Sequence, residues 1–337
     1  MPKKPTVAEV ARLAGVSIAT ASRALNGVGR ESEATRQRVH AVAAEIGYAP
    51  NAAARSLRRS LTGQLLLVVA EIENPVYIEL MRSIKRVARE AGYRLLVQST
   101  DGEVDEELAV IDGLAGGYVD GVVFCPIRMG RTVESRLESQ ITPVVVIGRP
   151  ETDAAIDYVF ADGQQAAAHA TTRLILQGHT RLGMISGPVD WLPARFREAG
   201  YRSVAADHPN VHLMAPINTD FSRRGGYKSA SQLTDVDAVV CANDQIALGV
   251  LEYCAAHDIR VPEQLAVVGM DNTAEGRNAR PPLSSVDLGF VRRGELATQR
   301  LLERIASPEI KPEWHREVAT KFVERASSAT SLKVEIS

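Results

Sequence analysis

Within TVAEVARLAGVSIATASRALN, residues 6–26, the side chains able to do chemistry are hydroxyls at helix-cap positions and an outward group that ends in a guanidinium. Thr6, three residues ahead of Glu9, forms a capping box: its hydroxyl accepts from an orphan amide while the carboxylate reaches back to the cap's own N–H. Val7, Val10, Ala11 and Ala14 recur at helical spacing, and Gly15 supplies the positive φ with which the chain leaves that helix. Ser17 caps a second helix. Ala14, Val16, Ala21 and Leu25 then form a small seam, which leaves Ile18, Ala19, Ser22 and Arg23 on the outward side. Two short helices with such a free face make a helix-turn-helix, whose second helix enters the major groove of DNA. Taken alone, the same pattern also suits plain packing. Charge favours the first reading: through Gly63 there are ten basic residues against four acidic ones, net +6, while the whole chain is −2, so the remainder carries −8. A basic head on an acidic body is the footprint of a nucleic-acid module joined to something with another job.

That other job shows no signature of catalysis. The chain has no Gly-rich phosphate loop, no GxSxG nucleophile elbow and no HExxH pair. His208 and His212 are four apart, but Pro209 and Asn210 break the helix that would align them on a metal, so no metal site and no cofactor are expected. Cys125, Cys241 and Cys254 are widely spaced and odd in number, which suits buried thiols rather than a disulfide framework. At 337 residues, 45% hydrophobic and 24% charged, the chain has a soluble globular composition with room for several domains. MPKKPTVAEV has no apolar run behind its charges, and no later stretch is long enough to span a bilayer, so the expected location is cytoplasmic.

The elements that must position these groups follow in order. Ser32 to Gly47 reads as a third helix, with Val39, Val42, Ala43 and Ile46 on one face and Gly47 and Pro50 ending it. Pro50 to Ser60, PNAAARSLRRS, is alanine-rich and basic, with Asn51 as a cap and room for about two helical turns. It reads either as a flexible linker or as a segment that folds in a DNA minor groove, with Leu57 wedged between base pairs. From Leu65 short apolar strands alternate with helices: 65–69, 94–98, 121–124 and 143–148, then a second series at 158–161, 181–186, 238–242 and 265–270. Continuously apolar strands mark parallel sheets covered on both faces. Two such series imply two α/β lobes with a cleft at the carboxyl ends of their strands.

These residues together resemble the lactose/galactose repressor (LacI/GalR) family. TVAEVARLAGVSIATASRALNG and the run Tyr48 to Leu57 are similar to its headpiece and hinge. Gly178-His179, Ser186 to Pro188, ANDQIALG at Ala242 to Gly249, VVGMD at Val267 to Asp271 and PPLSSV at Pro281 to Val286 are similar to its body. The resemblance covers Thr6 to about Ala326. It implies an all-α headpiece (1–49), a hinge (50–60) and a two-lobed body (61–337) like periplasmic binding proteins, with the chain crossing three times between lobes. Lobe one would hold about 61–158 and 288–314, lobe two about 159–287 and 315–326. It also implies a homodimer on a near-palindromic double-stranded operator and a small-molecule effector between the lobes, with no membrane partner. The leucine heptads of a longer family tail are absent after Glu324.

Position by position, the resemblance assigns Ile18, Ala19 and Arg23 to base reading. It assigns Thr6, Ser17, Thr20, Ser22 and Asn26 to phosphate contacts, and Asn51, Ala54 and Leu57 to the hinge's contacts with DNA. Arg23 could pair bidentately with guanine, whereas Ile18 and Ala19 would read by fit. In the cleft it assigns polar contacts to Arg197, Asn243 and Asp271 and walls to Phe221 and Phe290. Two features depart from many relatives. Gly148-Arg149 stands where they have an aspartate, and the first strand ends at Glu71 and Glu73 with Tyr77 close behind. Arg149 favours an acid or phosphate and Glu71 opposes it, so the sequence leaves the ligand's charge open. The expectation is a ligand-responsive transcriptional regulator, a repressor whose effector is a sugar or sugar derivative. The competing readings are a purine- or nucleoside-responsive regulator, an exported binding protein, which needs an export signal and has no use for a basic head, and a constitutive DNA-bending protein, for which the body is superfluous.

Overall fold

The structure, a computed structural model, describes residues 5–26, 31–48 and 61–329. It divides into a unit ending at Gly63 and a unit beginning at Gln64. In the first, α1 (Val7–Ala14), α2 (Ile18–Asn26) and α3 (Glu33–Glu45) enclose a small core of Val10, Ala11, Ala14, Ala21, Ala24, Val39 and Ala43. Thr6 Oγ1 accepts from the amide of Glu9 at 3.3 Å, Gly15 has φ 65°, and Ser32 caps α3 by accepting from the amide of Thr35 at 3.3 Å. Gly47 (φ 67°) ends α3, and the amide of Tyr48 closes back on the carbonyl of Ala43 at 2.8 Å. The expected hinge residues Asn51, Ala54 and Leu57 lie outside the described residues.

The second unit alternates strands and helices: β1 (Gln64–Val69), α4 (Pro75–Glu90), β2 (Arg94–Ser99), α5 (Val104–Gly113), β3 (Gly121–Cys125), α6 (Arg131–Glu138), β4 (Val144–Ile147) and β5 (Asp157–Phe160). Next come α7 (Gly163–Leu176), β6 (Arg181–Ser186), α8 (Leu192–Ser203), β7 (His212–Leu213), β8 (Ile217–Asn218), α9 (Arg223–Ala230), β9 (Ala238–Cys241), α10 (Asp244–Ala256), β10 (Ala266–Met270), α11 (Ala274–Asn278) and β11 (Ser284–Asp287). The series ends with α12 (Phe290–Ala306), β12 (His315–Glu317) and β13 (Lys321–Val323). Two sheets form, ordered β12-β5-β4-β3-β1-β2 and β13-β11-β10-β9-β6-β7, with β8 also pairing β6. Every pairing is parallel except β11 with β13. The central strands β3, β4, β9 and β10 are apolar and buried throughout, as a parallel sheet covered by helices on both faces requires.

The segment 158–161, expected to open the second series, belongs to the first sheet: Val145, Val146 and Ile147 pair with Asp157, Tyr158 and Val159. β12 then adds to β5, so the chain passes between the two sheets after residue 160, after 287 and between 317 and 321; the last passage lies later than the expected 314, because β12 still belongs to the first sheet. A strand partner such as His315, 157 positions after the Tyr158 it pairs with, leaves no mark on local apolar rhythm. Asp157, fully buried, ties this edge to α12 by accepting from Arg300 Nη2 (3.2 Å), Arg304 Nη1 (2.7 Å) and the amide of Trp314 (2.8 Å). All three cysteines are buried and free. Among the described residues no helix is long and apolar enough to cross a membrane.

Candidate functional site

The headpiece carries its reading face on α2. Ser17 Oγ accepts from the amide of Thr20 (3.1 Å) and lies 2.9 Å from Thr20 Oγ1, so the first turn is pinned by its own hydroxyls. Ile18 is 52% exposed, an apolar side chain with no core to join, and Ala19 and Arg23 are exposed beside it. Arg23 is already held: its Nε donates to Glu31 Oε1 at 2.5 Å and its Nη2 to Thr20 Oγ1 at 3.4 Å. That bond, first among the causes, keeps the Glu31 carboxyl below its ordinary range. Ser22 does not face outward; it is buried at 9% exposure, beside Ala21 and Ala24. The seam between α1 and α2 explains only part of α2's environment, because α2 also packs against α3, which narrows its free face. Asn26, half-buried, donates its amide to the Ser22 carbonyl at 2.6 Å. Thr6 is exposed at its cap.

In the body, the carboxyl ends of the strands surround a cavity of about 150 Å³. Glu71, Tyr77, Arg149, Arg197, Phe221, Asn243, Asp271 and Phe290 all line it. Glu71 follows β1 and Arg149 follows β4, where its guanidinium lies 5.4 Å over the ring of Phe160. Arg197 projects from α8; its Nη1 donates to the carbonyl of Ala242, its Nη2 is 3.6 Å from Asp271 Oδ1, and its Nε has no partner. Asn243 caps α10, accepting from the amide of Ile246 at 2.8 Å and donating to the carbonyl of Phe221 at 3.0 Å, so it also fixes the aromatic wall.

Asp271 follows β10 with φ 109°, a backbone conformation that an L side chain adopts under strain and that recurs at ligand sites. Its Oδ1 is buried without a hydrogen-bond partner, and burial pushes the carboxyl up to about 7 against the pull of Arg197. Burial likewise raises Glu71, with Asp220 adding to it, and raises the Tyr77 phenol.

Four groups here escaped the sequence reading. Trp191 stacks on Phe221 with ring centroids 5.5 Å apart, and Phe196 adds a second wall. Asp244, read only as part of the run ANDQIALG, is buried and positions the Asp271 loop: it accepts from Ser285 Oγ (2.6 Å), the Thr273 amide (2.7 Å) and Thr273 Oγ1 (2.9 Å). Arg293 on α12 also lines the cavity, with its guanidinium carbon 3.9 Å from the centroid of Phe290. An arginine in the run VRRG reads as a surface cation; only its placement reveals it.

Polar ties cross the cleft. Arg128 Nε lies 2.9 Å from Asp190, Arg195 Nη1 2.8 Å from Glu151, and Arg277 Nη2 3.2 Å from Glu79. The amide of Leu192 donates to the carbonyl of Ile127 at 3.0 Å, and the Leu192 side chain joins the core of the first lobe. Each exposed ion pair contributes little, below about 1 kcal/mol; together they hold the lobes closed over the cavity. The arrangement suits a small polyhydroxylated molecule: charged hydrogen-bonding groups at one end and flat aromatic walls for C–H faces.

Comparison with known proteins agrees with both halves. Residues 6–51 match the model of bacterial regulatory proteins of the lacI family, and residues 171–328 that of a periplasmic binding protein-like domain. The ribose operon repressor of Escherichia coli (strain K12) is 32% identical over 312 residues, covering 91% of this chain and 94% of its own. The solved complex of the transcriptional regulator CelR with cellobiose is 30% identical, with a TM-score of 0.71 over 96% of this chain and 100% of that one. The lac repressor dimer bound to operator and the anti-inducer ONPF shares the fold, with a TM-score of 0.85 at 23% identity, over 97% of this chain and all of that one. With its helix-turn-helix, its two-lobed body and these relatives over nearly its full length, the chain belongs to the lacI family of bacterial regulatory proteins, DNA-binding regulators under the control of a ligand.

Proposed function

We propose that this regulator is a repressor that acts as a homodimer on a near-palindromic operator, and that its operator affinity is set by a sugar or sugar derivative bound between the lobes. The observation that carries the reading is one chain holding both an exposed reading face, Ile18, Ala19 and Arg23, and an enclosed cavity in which Arg197 and Asp271 keep unpartnered buried polar atoms. Sugar-responsive relatives support the ligand class: one is named for the ribose operon and another is solved with cellobiose. Binding, not catalysis, is the work assigned to the cavity, and the cytoplasm is where the chain would meet its DNA.

In this reading Arg23 contacts a guanine, Ser17, Thr20 and Thr6 hold phosphates, and Asn51, Ala54 and Leu57 form the hinge that opens the centre of the operator. Ligand hydroxyls donate to Asp271 and accept from Arg197, and closure of the lobes alters the spacing of the paired hinges. A coupling of about 1–3 kcal/mol between the sites suffices for a useful switch. The test separates the sites: Leu57→Ala should weaken operator binding and leave ligand affinity nearly unchanged, while Arg197→Ala should do the reverse. Equal loss of both activities in either variant would contradict the assignment of two coupled but distinct sites.

A further inference from the structure

Arg293 sits in the first turn of α12 at 7% exposure, yet among the described residues its guanidinium makes no hydrogen bond and no ion pair. Its Nε and Nη2 are buried without partners. Stacking on Phe290 satisfies the face of the guanidinium but not the N–H edges, which need acceptors. Buried polar groups are nearly always hydrogen-bonded, and Asp271 attracts this cation through space without bonding its N–H groups. Its placement in the wall of the cavity gives the missing acceptor an address.

The charge of the lining points the same way. Arg149, Arg197 and Arg293 face Glu71 and Asp271, a surplus of one positive charge when both carboxylates are ionised. Burial lifts both carboxyls, which enlarges that surplus whenever either holds its proton, and burial also lowers Arg293, to about 10. Glu71, which the sequence set against Arg149, therefore does not neutralise the site. We infer that the ligand is an acidic sugar-sized molecule whose oxyanion, carboxylate or phosphate, docks on the N–H edge of Arg293 while its hydroxyls meet Asp271 and Arg197. A planar guanidinium with free adjacent donors matches an oxyanion bidentately, which a neutral hydroxyl cannot do. This inference rests on the reading of the cavity as the effector site and goes further, since it fixes the ligand's charge.

The experiment is calorimetric titration of the full chain, without DNA, against hexuronates, aldonates, hexose 6-phosphates and their neutral parent sugars. Wild type should bind at least one acid about tenfold or more tighter than its neutral parent, and the arm that binds distinguishes carboxylate from phosphate. Arg293→Leu should abolish that preference and Arg293→Lys should recover part of it. A neutral parent that binds as tightly as its acid, a preference that survives in Arg293→Leu, or no binding by any acid would each overturn the inference. Removing an unpaired buried cation should leave the melting temperature of Arg293→Leu at or above that of wild type; a large drop would mean that Arg293 is a structural cation and would also overturn it. Operator binding is read separately: operator binding that persists while the acid preference fails sinks this inference alone, whereas failure to select any DNA sinks the regulator reading and leaves the titration intact.

Discussion

Replacing Asp271 with asparagine keeps the shape of the side chain and removes a charge whose burial the cleft resists. In the wild-type chain burial lifts this carboxyl from 3.8 to about 7, against the opposing pull of Arg197. The folded, ligand-free body therefore retains a proton that the unfolded chain has released once the pH exceeds 3.8. Where the folded state binds more protons, stability falls as pH rises, so this carboxyl's contribution is full below 3.8, declines up to about 7 and is flat beyond. A displacement of that size corresponds to on the order of 4 kcal/mol. At roughly 2–4 °C per kcal/mol for a body of this length, the melting temperature of Asp271→Asn relative to wild type should climb by roughly 8–16 °C across the window. Paired melts of the two proteins at half-unit pH steps, without ligand, make the comparison and cancel the contribution of Glu107, which burial also raises. A difference that stays flat over that range would refute the claim that Asp271 is buried with its Oδ1 not hydrogen-bonded.

Arg23→Lys should cost about 1–3 kcal/mol of operator affinity and relax the preference at one base pair, because a lysine cannot make the bidentate contact; competition titrations with singly substituted operators measure it. Glu31→Gln, which leaves Arg23 Nε only a neutral acceptor and removes an anion from beside the reading face, should tighten binding to unrelated DNA, and unchanged non-specific affinity would exclude that role. Gly249→Ala should destabilise the second lobe by about 1–3 kcal/mol, since a Cβ there would lie 2.0 Å from the backbone oxygen of Arg223 on α9; chemical denaturation reads it.

The fold was legible where the signal is local. Continuous apolar runs gave β1 through β4, β6, β9 and β10, and cap chemistry at Thr6, Gly15, Ser17 and Ser32 gave the headpiece. β12 carries exposed polar residues, β13 spans three residues, none of them buried, and β7 and β8 span two residues each, so pattern alone could not reveal them. β11, SSVD, hides its role differently: Ser284 and Ser285 are buried because their hydroxyls donate to the Arg325 carbonyl and to Asp244, and Ser327 Oγ accepts from the Ser284 amide, all from distant positions. The cavity shows the same division. Asn243 and Asp271 lie in recognisable runs, while Arg293 and Trp191 depend on which way a helix turns and on what the opposite lobe brings to them. Ser22 failed for a related reason, since its burial depends on how many neighbours α2 has.

The most direct test of the whole account is selection of DNA from a random pool by the full chain at low salt, where phosphate contacts are strongest, followed by titration of the selected site with and without acidic and neutral sugars. The account predicts a near-palindromic site whose affinity changes about 5–150-fold with a compound that also titrates into the body. No selected sequence, or a site whose affinity is indifferent to a compound that binds the cavity, would contradict it.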